Sequence, residues 1–421
     1  MPPANAPNVV VVVTCTMRRD QLTPYGGPPE TSPWMAGMAA RGARFDDLIA
    51  ASAWTKESVT AILTGQMAID VGMTDPSAAL GRRRLAPEVT TLGERLTDAG
   101  WWALGRTANP HINAEFGFAQ GLDRYQGTVE TGFARDHKLS AAELVDASLR
   151  DLRARTPEEA ERPFYLQLVV IDPHWPITAE PTELARFEGA GVPGRLAAYR
   201  AMVRRVDDAL AALDAGLREI GHGDDTLIVV TADHGEGLDL PPHHRSQHGR
   251  VLYRSLTQVG WLLAGPGVGP GVVVDGVASH LDVVPTVLGL AGLPTVLPTD
   301  ELQAGHDWSD LVADGGRTTR TRAVADTWYE GANRASIWTS ERQCQRDWGS
   351  KRIRNDSFTT ACYDRVSDPD FTVPVDEPAL ADQLAAWRAG AETRYAAFPA
   401  TGDAQADAAV RDQLEALGYA E

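Results

Sequence analysis

The sequence of 421 residues has little cysteine: there are three, at positions 15, 344 and 362. So few cysteines exclude a disulfide framework of the kind that stabilises small secreted domains. Whether Cys344 and Cys362 pair with each other cannot be decided from their positions. Hydrophobic residues make up 43% of the chain, which is enough for one large domain, or two domains, with a packed core.

Long apolar runs and an excess of positive charge are also absent. No stretch approaches the roughly 20 apolar residues that a membrane span needs, so no membrane-spanning helix is predicted. The formal net charge of −18 disfavours nucleic acid and anionic lipid as partners. The start MPPANAPN has no basic residue, and the valine run after it is too short for a signal-peptide core. As given, the chain is predicted to be cytoplasmic; if a targeting segment was removed, it is periplasmic or secreted.

The sequence does contain short, continuous apolar runs, which are typical of strands buried on both faces. Helical patterns lie between these runs. Strands that alternate with helices predict an α/β fold with a central, largely parallel sheet flanked by helices. The predicted strands are Val9–Val13, Phe164–Ile171, Thr226–Thr231 and Val259–Leu263, and the predicted helices are Ser32–Gly42, Thr91–Ala99, Ala141–Arg155, Arg195–Ile220 and Leu281–Ala291.

The pattern of apolar and polar residues changes near Arg317. Short segments of mixed polarity follow, which predict a small antiparallel sheet with one solvated face and then two helices. We therefore predict a main α/β domain at residues 1–316 and a C-terminal subdomain at residues 317–421. The predicted strands are Ala323–Thr327, Ala335–Thr339, Lys351–Arg354 and Ala361–Arg365, and the predicted helices are Ala379–Ala396 and Asp403–Leu417.

Polar residues follow three of the predicted strands of the main sheet. Cys15 and Thr16 follow the first, 172–174 (Asp-Pro-His) the second, and 233–235 (Asp-His-Gly) the third. Ligands gather at the carboxyl ends of parallel strands, so these residues are candidates for one site. Aspartate and histidine are ligands for Zn²⁺, Mn²⁺ and similar ions, although a buried, hydrogen-bonded Asp–His pair is the alternative.

Cys15 and Thr55 each allow more than one interpretation. Cys15 is a small core residue, a lipidated cysteine, or a ligand or reactive group; the lack of a signal peptide disfavours lipidation. Thr55, in SAWTKESVTAILTG, lies at a predicted helix start and is either an N-cap or a hydroxyl placed where helix N–H groups favour an anionic substrate. A metal would be needed to make that hydroxyl a nucleophile.

Several motifs, in one order, resemble the sulfatase branch of the alkaline phosphatase superfamily. The resemblance covers roughly Pro7 to Trp387. The motifs that carry it are PNVVVVVTCTMRRDQLTPYGG, RGARFDDLIAASAWTKESVTAILTG, GFAQGLDRY, DPHWPI, TLIVVTADHGEGL, HGRVLYRSLTQVGWLLAGPG, HLDVVPTVLGLAGL and CYDRVSDPD.

This resemblance implies an alkaline-phosphatase-like sheet with a metal site at its carboxyl end. Asp233 and His234 match the family's metal ligands, and Thr55 falls at the position of its nucleophile. The resemblance also implies that His174 and His248 contact the substrate's anionic group or its leaving group. It further implies that Asn109 and His111 lie in a loop that faces the site.

The sequence departs from the family pattern at the nucleophile. Many sulfatases carry a Cys or Ser that is oxidised to formylglycine, followed by a Pro–Ser–Arg-like pattern. Here the residues are Thr55, Lys56, Glu57, Ser58 and Val59, and a threonine cannot become that aldehyde. If Thr55 acts, it acts as a plain alkoxide, which favours phosphorus over sulfur chemistry.

A second departure concerns the first strand. Cys15 stands where the family has an aspartate ligand, and Thr16 takes the next position, which is a further ligand or an inert neighbour. Cys15 is thus either an altered ligand, since thiolates suit softer ions such as zinc, or the mark of a lost one. Arg18 and Asp20 are interpreted as a structural ion pair.

The resemblance implies a metal-dependent hydrolase of sulfate or phosphate esters, with a divalent ion (Zn, Ca or Mn) as cofactor and a small-molecule anionic ester as substrate. Cys15, Thr55, Asp233 and His234 are predicted to converge on one pocket. Two alternatives stay open. One is a transferase that passes a phosphoryl or phospho-substituent through Thr55, and the other is a non-catalytic member of the family, because of Cys15.

Overall fold

A computed structural model provides the structure of the chain. It describes residues 1–74, 83–128, 138–189, 191–240, 243, 248–295, 300–328, 333–348, 360–397 and 413. The predicted strand Lys351–Arg354 lies outside these residues, and so does the predicted helix Asp403–Leu417 apart from Gln413.

A nine-stranded sheet forms the centre of the molecule, with the strand order β4-β3-β5-β1-β6-β7-β2-β8-β9. All neighbouring pairs are parallel except the two that β7 makes, with β6 and β2. The fold class is therefore the predicted one. The strands are β1 Asn8–Thr14, β2 Ala43–Ile49, β3 Trp102–Thr107, β4 Arg124–Gln126, β5 Phe164–Val170, β6 Thr226–Ala232, β7 Gln258–Ala264, β8 Val272–Ser279 and β9 Gly316–Arg317.

The valine run of β1 occupies the middle of this sheet because apolar side chains on both of its faces must be covered. Val9 to Val13 are completely buried. β1 pairs in parallel with β5 on one side and with β6 on the other, with Val13 opposite Val169 and Thr231. The three predicted strands are thus neighbours in one sheet, and their carboxyl ends lie at one edge.

The antiparallel direction of β7 was not predicted. The chain between β6 and β7 contains one short described helix, Arg254–Thr257, which hydrogen-bonds back to the loop after β6 through the N–H of Gly235 and the carbonyl of Leu256. β7 therefore starts at the edge where β6 ends. A parallel strand would need a crossover across the sheet, so β7 returns antiparallel.

Helices cover the sheet, and the five predicted ones are present within two residues at each end. Among the described residues, no helix has the length and apolar character to cross a membrane. The helices are α1 Pro33–Arg41, α2 Thr55–Thr64, α3 Leu92–Asp98, α4 Ala141–Arg153, α5 Pro157–Ala160, α6 Pro181–Leu184, α7 Gly194–Glu219, α8 Arg254–Thr257, α9 Val283–Leu290, α10 Ser309–Asp314 and α11 Pro378–Ala397. Short 3-10 turns link several of them.

A separate five-stranded antiparallel sheet follows, as predicted. Its strands run in sequence order: β10 Ala323–Thr327, β11 Arg334–Trp338, β12 Arg342–Asp347, β13 Thr360–Asp364 and β14 Pro374–Val375. Cys344 and Cys362 face each other across β12 and β13 and form a disulfide. The predicted domain boundary at 316/317 falls inside β9, which pairs with β8 of the central sheet, and it stays a prediction.

The two sheets share an apolar cluster and, beside it, a buried carboxyl pair. Glu57 of α2 accepts a hydrogen bond from the Ser52 hydroxyl at 2.5 Å. Asp326 of β10 accepts one from the Trp328 indole at 3.1 Å, while its Oδ1 is buried without a hydrogen-bond partner among the described residues. Burial raises the pKa of both carboxyls, and the charge of ionised Asp326 raises the pKa of Glu57 further.

We expect this pair to make stability depend on pH. A carboxyl whose pKa is raised by folding favours the folded state below its ordinary pKa, and that contribution is lost as the pH rises through the folded value. The unfolding free energy of the wild type should fall as the pH rises from about 5 to about 8. Glu57→Gln should make that fall smaller by on the order of 2 kcal/mol. Urea denaturation across this range tests it, with the exposed Glu30→Gln as control. Equal slopes in the wild type and in Glu57→Gln would contradict it.

Candidate active site

The carboxyl edge of the central sheet brings together four residues that are far apart in sequence. The Thr55 hydroxyl lies 3.2 Å from His234 Nε2 and 3.5 Å from Cys15 Sγ. His234 Nε2 is 3.5 Å from a carboxylate oxygen of Asp233. All four side chains are fully buried. The structure thus places the predicted residues at one point, where β1, β6 and the start of α2 meet.

Asp233 and His234 are held in an orientation suited to binding a cation. One carboxylate oxygen of Asp233 accepts the backbone N–H groups of Thr16 and His234, at 2.9 and 2.6 Å. Its other oxygen is buried without a hydrogen-bond partner among the described residues. His234 Nδ1 lies 2.8 Å from the carbonyl of Gly235, so Nδ1 carries the proton and the Nε2 lone pair points at Thr55. Burial lowers the pKa of His234, which keeps the imidazole neutral.

Cys15 completes a group of three candidate ligands. Its sulfur, a carboxylate oxygen of Asp233 and a ring nitrogen of His234 lie within 4.8 Å of one another. The side-chain amide of Asn109 donates to the sulfur at 3.5 Å. Burial and the charge of Asp233 raise the pKa of the Cys15 thiol well above its usual value. The unpartnered oxygen and the exposed lone pair of His234 are what a divalent cation requires, so these residues fit a metal site.

Thr16 contacts this group through its backbone. Its N–H donates to Asp233, and its carbonyl accepts the Tyr199 hydroxyl at 2.6 Å. The residue has a positive φ of 56°, which is uncommon for a residue with a branched side chain. The Thr16 hydroxyl is buried without a hydrogen-bond partner among the described residues. Its role as a further ligand stays a prediction.

Thr55 is the first residue of α2 and not its N-cap. The N-cap is Trp54, which makes no side-chain capping bond. The N-cap interpretation of Thr55 is therefore wrong, and its hydroxyl is directed to Cys15 and His234 instead. The hydroxyl lies at the amino end of α2, and N–H groups at a helix start favour an anion.

Three further imidazoles surround the four residues. The ring of His248 lies 4.5 Å from that of His234 and 5.1 Å from that of His174. His111 lies with its ring centre 5.0 Å from that of Trp54. Burial lowers the pKa of His111 and of His174. The structure thus also brings together the predicted His174, His248, Asn109 and His111, all of them buried.

Two charged residues of this region were not assigned from sequence. Glu236 lies 3.2 Å from His248 Nδ1, and the charge of His248 brings the pKa of this buried carboxyl below its usual value. Lys138 donates from Nζ to the carbonyl of His174, and burial lowers its pKa to about 8. Glu236 belongs to the same TADHGEG motif as Asp233, so its position was a usable signal. The sequence around Lys138 carries no such signal.

Arg18 and Asp20 form the predicted ion pair, with Arg18 Nε and Nη2 donating to the two carboxylate oxygens at 2.9 and 2.7 Å. Arg18 Nη1 also donates to the carbonyl of Glu236 at 3.1 Å. The pair therefore holds the loop after β6 against the loop after β1, and its role is structural.

The geometry can be compared with known proteins. The model of the Sulfatase family matches residues 7–293, which is more than half of the chain. The chain belongs to the sulfatase family. The N-acetylgalactosamine-6-sulfatase of Rattus norvegicus is 25% identical over 355 residues, covering 73% of this chain and 66% of that protein. The arylsulfatase A of Homo sapiens is 26% identical over 369 residues, covering 75% and 70%.

Solved structures show the same fold. One, of a protein in complex with its substrate D-glucosamine-2-N,6-O-disulfate, superposes with a TM-score of 0.70 at 19% identity, over 96% of this chain and 100% of that one. The phosphonate monoester hydrolase of Silicibacter pomeroyi superposes with a TM-score of 0.67 at 17% identity, over 93% and 95%. The chain spans about two thirds of the length of the rat relative.

Proposed function

We propose that this sulfatase-family protein is a metal-dependent hydrolase of small-molecule sulfate or phosphate esters, with Thr55 as the nucleophile. The observation that carries the proposal is the position of the Thr55 hydroxyl, 3.2 Å from the unprotonated nitrogen of His234 and beside the unpartnered oxygen of Asp233. An ordinary structural threonine has no need of such neighbours.

Cys15, Asp233 and His234 would hold the ion, with Thr16 as a further ligand. A bound Zn²⁺, Mn²⁺ or Ca²⁺ supplies Lewis-acid chemistry: it favours the alkoxide form of a hydroxyl and stabilises negative charge on the group being transferred. The thiolate of Cys15 suits zinc best of the three.

The protein's own groups account for the remaining steps. The Thr55 hydroxyl gives up its proton to solvent, Oγ1 attacks the sulfur or phosphorus atom, and the bond from that atom to the leaving oxygen breaks. The N–H groups at the start of α2 and the Lys138 ammonium hold the anionic oxygens. His248, oriented by Glu236 at 3.2 Å, gives a proton to the leaving oxygen, with His174 beside it. A water molecule then gives a proton back to His248 and attacks the same sulfur or phosphorus atom, which breaks the bond to Thr55 Oγ1 and releases inorganic sulfate or phosphate.

The choice between sulfate and phosphate is tested by a direct comparison. Purified protein, loaded in turn with Zn²⁺, Mn²⁺ or Ca²⁺, is assayed with an aryl sulfate and the matching aryl phosphate. We expect hydrolysis that stops when a chelator removes the metal, and faster turnover of the phosphate, because Thr55 cannot become formylglycine. Release of an alkyl ester when an alcohol is added would favour the transferase instead. Full activity without metal would contradict the mechanism.

The disulfide between Cys344 and Cys362 is relevant to the cellular compartment of the protein. Disulfides persist mainly in oxidising compartments, so the Cys344–Cys362 bond supports the periplasmic or secreted alternative over the cytoplasmic prediction. Alkylation of the unreduced protein isolated from its native host, followed by mass spectrometry, tests this. Blocking of Cys344 and Cys362 by the reagent, in protein alkylated before cell lysis, would contradict it.

A further inference from the structure

An arginine-lined cavity lies beside the candidate active site and plays no part in the mechanism above. It has a volume of about 210 Å³. Arg18, Arg19 and Arg254 line it. His243 and Tyr253 also line it, and so does Phe371, which belongs to the C-terminal region. Three guanidinium groups around one cavity are unexpected in a chain whose net charge is −18.

Two of these arginines form no direct ion pair among the described residues, although Asp20 and Asp370 also line the cavity. Asp20 is paired with Arg18, and the nearby Asp47 is paired with Arg365 at 2.6 Å. In the described part of the chain, no carboxylate lies within ion-pair distance of Arg19 or Arg254. Burial lowers the pKa of Arg254, and so do the neighbouring charges of Arg365 and Arg19, while Asp47 and Asp20 act in the opposite direction.

The hydrogen-bonding groups of the same two arginines are also only partly used. The Nε of Arg19 is buried and has no hydrogen-bond partner among the described residues. Its guanidinium lies over the ring of Tyr25, with Cζ at 4.5 Å from the ring centre, which fixes its position. Arg254 donates from Nε to the side-chain oxygen of Gln258 at 2.6 Å. Two fixed guanidinium groups with spare donors form a binding geometry for an oxyanion.

The loop that carries Asp233 and His234 borders the cavity through Gly237. The N–H of Gly235 donates to the carbonyl of Leu256 at 2.8 Å, and Arg18 donates to the carbonyl of Glu236. A Cβ atom at position 235 would lie 1.9 Å from the carbonyl oxygen of Ser255, so glycine is required for this approach. An anion bound in the cavity would therefore lie next to the loop that carries Asp233 and His234.

We propose that this cavity is a second anion site, which binds a sulfate, phosphate or carboxylate group through Arg19 and Arg254. The group has two possible sources: a free inorganic anion, or a second anionic substituent on the ester substrate. The proposal concerns binding and does not depend on turnover, so it can fail or hold independently of the proposed function.

Calorimetric titrations of the full chain test the proposal. The variants are Arg19→Gln with Arg254→Gln, the charge-keeping pair Arg19→Lys with Arg254→Lys, and, as control, Arg204→Gln, a half-buried arginine that does not line the cavity. All are made in a Thr55→Ala background that prevents turnover. The probes are inorganic sulfate, inorganic phosphate, and sugars that carry one or two sulfates. Circular dichroism checks that each variant is folded.

If the anion is free, the protein with both arginines should bind one more inorganic anion than the Gln pair. If it belongs to the substrate, the Gln pair should bind the disulfated sugar at least about tenfold more weakly, with unchanged affinity for the monosulfated one. In either case the Lys pair should recover part of the affinity and Arg204→Gln should have no effect. Identical binding of every probe by the Gln pair and its parent would overturn the proposal.

Discussion

Replacing Thr55 by alanine is expected to lower ester turnover by at least about a thousandfold, because the reaction loses its nucleophile. The fold should survive. Thr55 does not cap α2, and the bonds of its hydroxyl are all to groups of the site, so the loss in stability should be on the order of 1 kcal/mol. Steady-state kinetics and urea denaturation of the same preparation measure both effects.

Two variants separate chemistry from packing. Thr55→Ser keeps a hydroxyl and should retain turnover within about tenfold of the wild type. Thr60→Ala removes an equally buried hydroxyl from the same helix. Among the described residues that hydroxyl bonds only to the carbonyl of Lys56, at 2.7 Å, so the variant should be fully active. Turnover in Thr55→Ala equal to that of Thr60→Ala would rule out Thr55 as the nucleophile.

The parts of the fold that were predictable are those in which burial dictates the sequence. β1, β5 and β6 are covered on both faces, so each reads as an unbroken apolar run. Helix α4 begins at a capping box of Ser140 and Glu143 and carries an apolar stripe at helical spacing. Such local rules need no knowledge of the neighbours, and the predicted bounds therefore agree with the observed ones to within two residues.

Other strands could not be predicted because their burial depends on tertiary contacts. The residues of β12, Arg342–Asp347, form ion pairs and a disulfide instead of an apolar face. In β2, the buried residues Phe45 and Leu48 are interrupted by a bulge that breaks the alternation expected of a strand. The direction of β7 depends on where the chain leaves β6, which no property of its own sequence records.

The same distinction applies to the candidate site. Asp233, His234 and Glu236 follow a buried strand within one motif, so their convergence could be expected from the sheet alone. Lys138 lies just before α4 and donates to the carbonyl of His174. This contact depends on how α4 packs against the sheet, which its own sequence does not indicate. The arginine-lined cavity combines residues of the main domain with residues of the loop between β13 and β14. No single segment of the sequence predicts it.

Cys15 carries the second large expected effect, on metal content. The purified protein should contain about one divalent ion, and Cys15→Ser should lose most of it, because a serine hydroxyl is a much weaker ligand than a thiolate. Cys15→Asp, which restores the family's usual ligand, should keep the ion and shift its preference from zinc toward Mn²⁺ or Ca²⁺. Elemental analysis after dialysis against each metal measures both. Asp207→Asn is the control: in the described part of the chain this buried carboxylate accepts hydrogen bonds only from the start of α1, at 2.8 and 2.9 Å, so the variant should leave metal content unchanged.

Acid should weaken metal retention in the wild type more than in Cys15→Asp. The ion binds the thiolate, so it competes with a proton for the sulfur, and burial and Asp233 raise the pKa of that thiol in the metal-free protein. Each step down in pH therefore favours release of the ion, whereas a carboxylate in the same place is protonated only at much lower pH.

Stoichiometric metal that is indifferent to Cys15→Ser would show that Cys15 is not a ligand. A wild type that binds little metal and hydrolyses neither ester, but gains both properties as Cys15→Asp, would instead identify this protein as a non-catalytic relative that lost one ligand while Thr55, Asp233 and His234 stayed in place.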